Sequence, residues 1–318
     1  MKISSKAVWI AVSVVLVVFL AVTLAGGIYM CRYALAPKPY DEAADRAWME
    51  EQTLGVAAWW DDLKERGILR DTFQVFPDGR RLHAWYAAAS KPSSHTAILI
   101  HGYGGSPFSM GQFARMYRED LGYNVFIPAL SAHERSEGRG IQMGWKDRED
   151  ILGWIPVARS LFPEGDMILH GCSMGAATVM MVSGETTPDY VKAFIEDAGY
   201  TSVWDIFEGQ LAEQFHLPAF PVLYGADLVC ELKYGWGFRQ ASSLKQVARS
   251  TKPVLFIHGG DDKFVPTWMQ EPCYEAKTVG LKEKWTSPGS DHVRSYSDHP
   301  AEYLNVVKNF LGKAFEEE

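Results

Sequence analysis

Cysteine is scarce in this sequence, and the few that are present are not arranged in pairs. The chain of 318 residues contains four, at positions 31, 172, 230 and 273. Closely spaced cysteines and histidines are typical of zinc sites and redox motifs, and neither the cysteines nor the nine histidines show such spacing. The sequence therefore excludes a disulfide-stapled miniprotein and predicts no metal site, while the pairing of Cys230 and Cys273 stays open.

An excess of positive charge is also missing. Lysine and arginine number 31 against 39 aspartates and glutamates, which gives a formal net charge of −8. A molecule with this charge repels the phosphate backbone of nucleic acids on average. We therefore expect no nucleic-acid partner.

Acidic and basic side chains are absent from the first long apolar segment, Ala7 to Met30. As a helix it would be about 36 Å long, against about 30 Å for the hydrocarbon core of a bilayer. The apolar part of a cleavable signal peptide is shorter, about 7–15 residues. We predict an uncleaved membrane anchor within residues 1–36. A signal peptide cleaved after Ala36 and a buried soluble helix are the alternatives.

The charges around this segment predict its orientation. Lys2 and Lys6 precede the apolar run, whereas Asp41 and Glu42 accompany the basic residues that follow it. Lysine and arginine are enriched on the cytoplasmic side of membrane spans. The sequence thus predicts a single-pass protein of the cell membrane with an extracytoplasmic globular part.

Short strand-like segments alternate with helical ones after a helical linker predicted over residues 37–70. The predicted strands span 72–76, 81–88, 96–102, 124–130, 167–173, 191–199, 252–260 and 282–287. Several are continuously apolar, which is typical of parallel strands covered by helices on both faces. We predict an α/β domain over 71–318 with a mostly parallel eight-stranded sheet. The aromatic-rich segment 200–252 is long for a connection and is predicted to be a helical lid insert.

A Gly-x-Ser-x-Gly pattern ends the fifth predicted strand. Residues 171–175 read Gly-Cys-Ser-Met-Gly and lead into a helical run of small and apolar residues. A sharp strand-to-helix turn of this kind exposes the serine hydroxyl, and side chains at the two glycine positions would collide in it. The pattern predicts Ser173 as a nucleophile, with Cys172 directed elsewhere.

A serine nucleophile needs a base that takes its proton and an acid that orients the base. Both types of residue follow at predicted strand ends. His292 comes after the eighth strand, and Asp261 and Asp262 come after the seventh. Asp197, at the end of the sixth strand, is a further candidate acid. The residues predict His292 as the base and leave the acid open.

In their order and context, these motifs resemble those of the α/β-hydrolase superfamily over about residues 72–315. The matching segments are HGYGGS (101–106), GCSMG (171–175), HGGDDKFVP (258–266) and SDH (290–292). The N-terminal apolar segment and the blocks 197–221 and 299–311 look more specifically like membrane-anchored or exported bacterial hydrolases similar to the Bem46 group. The resemblance implies the α/β-hydrolase fold. The glycine-rich residues 101–105 are not followed by the residues of a phosphate or nucleotide site, so we expect no cofactor.

The resemblance also implies roles for particular residues. It selects Asp262 as the acid and leaves Asp261 as a turn residue. It further implies that the backbone N–H groups of Tyr103 and Met174 form the oxyanion hole.

The sequence thus predicts a serine hydrolase with a Ser173–His292–Asp262 triad that cleaves an ester or related acyl bond of a small-molecule substrate. A peptidase or a thioesterase stays open because the same triad serves all three reactions. A non-catalytic surface binding protein is the alternative from another class. The sequence specifies neither the natural substrate nor the oligomeric state. Because every proposed catalytic residue follows residue 100, we expect a fragment starting near residue 37 to be active.

Overall fold

An eight-stranded sheet forms the centre of the structure, a computed structural model that describes residues 5–316. The strands are β1 (Leu69–Val75), β2 (Arg81–Ala87), β3 (His95–Ile100), β4 (Asn124–Pro128), β5 (Asp166–Cys172), β6 (Val191–Asp197), β7 (Val254–Gly259) and β8 (Lys282–Ser287). Their order is β1-β2-β4-β3-β5-β6-β7-β8. Strand β2 runs in the direction opposite to the other seven strands. The predicted mostly parallel sheet is confirmed.

All eight predicted strands are present, and no boundary differs by more than three residues. The sequence places the carboxyl ends of β3, β4 and β6 two residues too far along the chain. The residues beyond those ends, such as Ala129 and Ala198, are still buried. They belong to loops that pack over the carboxyl ends of the strands, so these residues are buried although they no longer pair with a neighbouring strand.

Helices cover both faces of the sheet. They are α1 (Ser5–Leu35), α2 (Glu42–Gln52), α3 (Val56–Glu65), α4 (Gly111–Arg115), α5 (Asp147–Leu161), α6 (Met174–Ser183), α7 (Val203–Phe215), α8 (Val222–Tyr234), α9 (Ser243–Val247), α10 (Gln270–Ala276), α11 (Ser295–Asp298) and α12 (Pro300–Glu316). Short 3₁₀ or π turns occupy Pro107–Met110, Met116–Asp120 and Thr267–Met269. On β3, Ile98 and Ile100 enter one apolar core while Ala97 and Leu99 enter the other. This alternation gives the sheet a separate core on each face.

The predicted linker forms two helices that pack on the sheet. Asp41 caps α2 by accepting a hydrogen bond from the Ala44 N–H. Met49 of α2 and Trp60 and Leu63 of α3 are buried in one of the two cores. Residues 42–65 are thus part of the packed domain.

The segment between β6 and β7 contains α7, α8 and α9, so the predicted insert is helical. Trp236 and Phe238 are buried and form part of its core. Phe220 and Tyr224 are exposed instead, at 61% and 47% of their surface. The aromatic residues of the insert therefore serve both its interior and its surface.

Helix α1 has the length and composition of a membrane span over Val8–Leu35. Its N-terminal half is exposed, whereas its C-terminal half packs against α8. A Cβ atom added to Gly27 would collide with the backbone of Gly225, and one added to Gly225 would collide with the Thr23 carbonyl. The two helices are therefore in backbone contact, which glycine permits.

Candidate active site

Ser173 lies in a strained turn between β5 and α6. Its backbone has φ 57° and ψ −119°, a conformation that residues with a side chain rarely adopt. A Cβ atom at Gly171 would collide with the Gly175 carbonyl, and one at Gly175 would collide with the Ile100 carbonyl. Both glycines of the motif are therefore sterically required.

Three of the predicted residues meet through their side chains. The Ser173 Oγ lies 2.9 Å from the His292 Nε2, and the His292 Nδ1 lies 2.7 Å from the Asp262 Oδ2. The Asp262 side chain is fully buried, while His292 keeps 20% of its side chain exposed. The three side chains thus stand in the order that proton transfer from a serine through a histidine to an aspartate would require.

The loop after β7 fixes the orientation of the Asp262 carboxylate. Its Oδ1 accepts hydrogen bonds of 2.9 Å from the N–H groups of Phe264 and Val265. This leaves Oδ2 for His292, and the His258 Nε2 also approaches it at 3.4 Å. Asp261 does not take part: its N–H donates to the Ser290 carbonyl.

The charge of Asp262 is favoured in spite of its burial. Burial raises the pKa of this carboxyl, but hydrogen bonds and charge interactions with His258 and His292 outweigh that effect and lower the pKa to about 2. Sequence reasoning missed His258 as a partner of Asp262. The available signal was its position at the end of β7, four residues before the aspartate.

The loop after β3 runs next to Ser173. A Cβ atom at Gly102 would come within 3.2 Å of the Ser173 Cβ, so the backbone that leads into Tyr103 runs beside the serine. Met174 is the first residue of α6, and N–H groups in the first turn of a helix have no partner within it. Tyr103 and Met174, whose N–H groups are predicted to form the oxyanion hole, thus lie in the two segments next to Ser173.

The buried His133 holds this loop in place. The His133 Nδ1 lies 2.9 Å from the Ser131 carbonyl, and its Nε2 accepts a hydrogen bond from the Gly104 N–H. Burial lowers the pKa of His133 to about 4. The ring is therefore neutral near pH 7, with one nitrogen to donate and one to accept. It acts on the backbone beside Tyr103 rather than on the nucleophile.

Ser173 lines two cavities that differ in the charges of their walls. The first, of about 260 Å³, is lined mainly by apolar side chains, and Lys38 is the one charged residue among those described there. It is formed by Met30, Tyr33, Ala34, Lys38, Tyr103, Met143, Ser173, Met174, Tyr200, Ile206, Phe207, Gln210, Leu211, Gln214, Phe215, Val222, Leu223, Ala226, Phe238, Phe264 and Val265. The second, of about 740 Å³, includes Asp41, Asp45, Asp291 and Arg294 as well as His292.

A polar cluster is buried behind the nucleophile. Ligand atoms of His170, Cys172 and Asp197 lie within 4.8 Å of one another. Both nitrogens of His170 are hydrogen-bonded to tyrosine hydroxyls, of Tyr117 and Tyr303. Neither nitrogen of His170 is therefore free to bind a metal ion.

Neither Asp197 nor Cys172 belongs to the hydrogen-bonded series of Ser173, His292 and Asp262. Tyr303 donates a hydrogen bond of 3.0 Å to the Asp197 Oδ2, whereas the His292 Nδ1 is paired with Asp262. Burial raises the pKa of Asp197 to about 6. It also raises the pKa of the Cys172 thiol, which keeps that thiol protonated. All four cysteines are free and buried, so Cys230 and Cys273 are not bridged.

Residues 97–306 match the model of the Alpha/beta hydrolase family. The match covers most of the sheet and every residue of the serine–histidine–aspartate arrangement. The chain belongs to the alpha/beta hydrolase family. This alpha/beta hydrolase is 28% identical to the uncharacterized protein YqkD of Bacillus subtilis, over 71% of this chain and 74% of that protein.

Two further comparisons agree with this assignment. The hydrolase is 24% identical to the protein bem46 of Schizosaccharomyces pombe, over 56% of this chain and 54% of that protein. The structure of the Pyrococcus furiosus esterase Pf2001 superposes with a TM-score of 0.63 at 21% identity, covering 79% of this chain and 95% of the esterase. The expected relationship to the Bem46 group is therefore present, though distant, and the fold is that of known esterases.

Proposed function

We propose that this alpha/beta hydrolase is a serine hydrolase that cleaves an ester or related acyl bond through an acyl-enzyme intermediate. The observation that carries the proposal is the hydrogen-bonded series from Asp262 through His292 to Ser173. An aligned base makes the serine hydroxyl a useful nucleophile, and a buried carboxylate stabilises the imidazolium that forms.

Each step has a residue to perform it. Ser173 attacks the substrate carbonyl while its proton passes to the His292 Nε2. The N–H groups of Tyr103 and Met174 donate to the resulting oxyanion. His292 then gives its proton to the leaving alcohol, and the acyl group stays on the Ser173 Oγ. A water molecule repeats the sequence, which releases the acid and restores the serine.

The two cavities support a substrate whose acyl chain is apolar and whose leaving group is polar. The apolar cavity suits an acyl chain, since burial of each methylene group contributes about 0.8 kcal/mol. The second cavity, which carries charges of both signs, suits a polar leaving group. Both cavities are lined by Ser173, as a bond cleaved between the two halves requires.

The proposal predicts covalent labelling and a preference among acyl substrates. A fluorophosphonate probe should label the full-length protein, and nitrophenyl esters should be turned over faster than matched acyl thioesters or aminoacyl amides. A higher kcat/KM on amides or on thioesters would assign a peptidase or a thioesterase instead. A folded protein that takes no label and cleaves none of the three would be a non-catalytic binding protein.

We also propose that α1 anchors the enzyme in the cell membrane, with the catalytic domain outside the cytoplasm. The length and exposed apolar surface of Val8–Leu35 support a span, and Lys2 and Lys6 support a cytoplasmic amino end. The full-length protein should remain with membranes after a carbonate wash, because apolar burial does not depend on charge.

External protease on spheroplasts should digest the catalytic domain. Its protection in a protein that is still membrane-bound would reverse the orientation. A mature protein that begins near Pro37 would replace the anchor by a signal peptide.

A further inference from the structure

The proposed membrane helix forms part of the wall of the apolar cavity. Met30, Tyr33 and Ala34, in the last two turns of α1, line the cavity together with Ser173 and Met174. The Tyr33 ring packs edge-on against Phe215 of α7 with ring centroids 5.3 Å apart. Tyr103, beside the nucleophile, donates a hydrogen bond of 2.7 Å to the Ala34 carbonyl. The helix thus reaches the reaction centre.

From these contacts we propose that the substrate is a membrane-resident acyl lipid whose acyl chain enters this cavity from the bilayer, along α1. This proposal rests on the serine hydrolase function proposed above and names the substrate class of that same site. A water-soluble ester would need neither a membrane helix as a wall nor an apolar surface at the membrane.

Contacts between α1 and α8 place the insert at the level of the bilayer. Phe19 packs against Phe220, two residues before α8, at a centroid distance of 6.0 Å, and Gly27 lies against Gly225 further along both chain segments. The two helices therefore run in the same direction, and the N-terminal end of α8 is the end nearest the membrane.

The length of α1 that fits in the bilayer indicates how deep the N-terminal end of α8 lies in the membrane. A core of about 30 Å takes about 20 helical residues, so a span that begins after Lys6 extends to about Gly27. Phe19 lies eight residues before Gly27, which is about 12 Å along the helix. Its partner Phe220 is therefore at the depth of the acyl chains of the outer leaflet.

The surface of the insert fits that environment. Residues 214–226, from the end of α7 into α8, contain no lysine, arginine, aspartate or glutamate. Within them Leu217, Phe220 and Tyr224 expose 41%, 61% and 47% of their surface. Such a patch next to a membrane helix is stabilised by insertion into lipid. The same segment contributes Phe215, Val222 and Ala226 to the cavity, which links the membrane surface to the site.

A fragment that starts near residue 37 should therefore differ from the full-length enzyme in its substrate preference. Such a fragment keeps Ser173, His292 and Asp262 but lacks the part of the cavity wall that α1 supplies. We now expect it to retain hydrolysis of short esters better than hydrolysis of lipids.

The test uses the full-length enzyme in phosphatidylcholine vesicles. Monooleoylglycerol in the bilayer and nitrophenyl butyrate in water are compared as substrates. Ala34→Trp narrows the cavity from its α1 side, so the ratio of lipid to short-ester turnover should fall at least tenfold. Ala25→Trp is the matched control on the exposed surface of the same helix and should leave the ratio unchanged. Equal ratios in the two variants and the unmodified enzyme would overturn the proposal.

A second pair of variants tests entry from the bilayer. Phe220→Glu places a charge at the depth of the lipid chains and should lower lipid turnover while nitrophenyl butyrate is still cleaved. Leu232→Glu is the control, since this 79% exposed residue lies toward the far end of α8. Lipid turnover unaffected by Phe220→Glu would also overturn the proposal. Fluorophosphonate labelling separates the two failures: without labelling or any ester turnover, the hydrolase function itself is wrong.

Discussion

Ser173→Ala is expected to lower kcat by about 10⁴-fold or more and to abolish labelling by a fluorophosphonate. The alanine has no hydroxyl to attack the substrate carbonyl, and no other described nucleophile lies within reach of His292. The residual rate would come from the oxyanion donors and from binding alone. Progress curves on a nitrophenyl ester and mass spectrometry of the labelled peptide measure both effects.

The matched control for this variant is Cys172→Ala, one position earlier. Its thiol is buried and protonated, so kcat should stay within a few-fold of that of the unmodified enzyme and labelling should persist. If Ser173→Ala retains turnover while Cys172→Ala loses it, the nucleophile has been assigned to the wrong residue.

Asp262→Asn should lower kcat by about 10⁴-fold with little change in the fold. The Oδ1 of residue 262 accepts from two backbone N–H groups, so the asparagine oxygen will occupy that place. Its NH₂ group must then face the His292 Nδ1, which can only accept this hydrogen bond. The imidazole proton moves to Nε2, where it prevents His292 from accepting the proton of Ser173.

Asp261→Asn and Asp197→Asn are the controls for the choice of acid. Asp261 is exposed and does not contact His292, so its variant should keep kcat within a few-fold. Asp197 is held by Tyr303, and its variant should lose stability more than turnover. A loss of 10⁴-fold in Asp197→Asn, with a near-normal Asp262→Asn, would make Asp197 the acid. Pre-steady-state and steady-state rates on one ester decide the matter.

Much of the fold could be predicted from local sequence. Continuous apolar runs identify the parallel strands because both of their faces are buried, and this pattern needs no knowledge of tertiary contacts. The turn at Ser173 was also predictable, since glycine at positions 171 and 175 indicates that side chains do not fit there. The meeting of Ser173 with His292 follows once the strand ends share one edge of the sheet.

Other features depend on tertiary geometry that the sequence does not display. Asp261 and Asp262 are adjacent carboxylates of equal chemistry, and only the path of the loop after β7 directs the second toward His292. His258 approaches the same carboxylate across that loop. The contribution of Met30 and Ala34 to the cavity is likewise invisible in a segment whose composition already indicates a membrane helix. Apolar side chains at these positions fit both a membrane helix and a cavity wall, so the sequence alone does not distinguish the two roles.

The contact between Gly27 and Gly225 bears on how the enzyme finds its substrate. A domain on a loose tether explores the solution around its anchor, but helices in backbone contact hold the domain at one height and one tilt. With α1 in the bilayer, Ser173 keeps a fixed distance from the lipid surface. The membrane lipid proposed as substrate would then meet the enzyme by diffusion in a plane, and the rate would follow the mole fraction of substrate among the lipids rather than its bulk concentration.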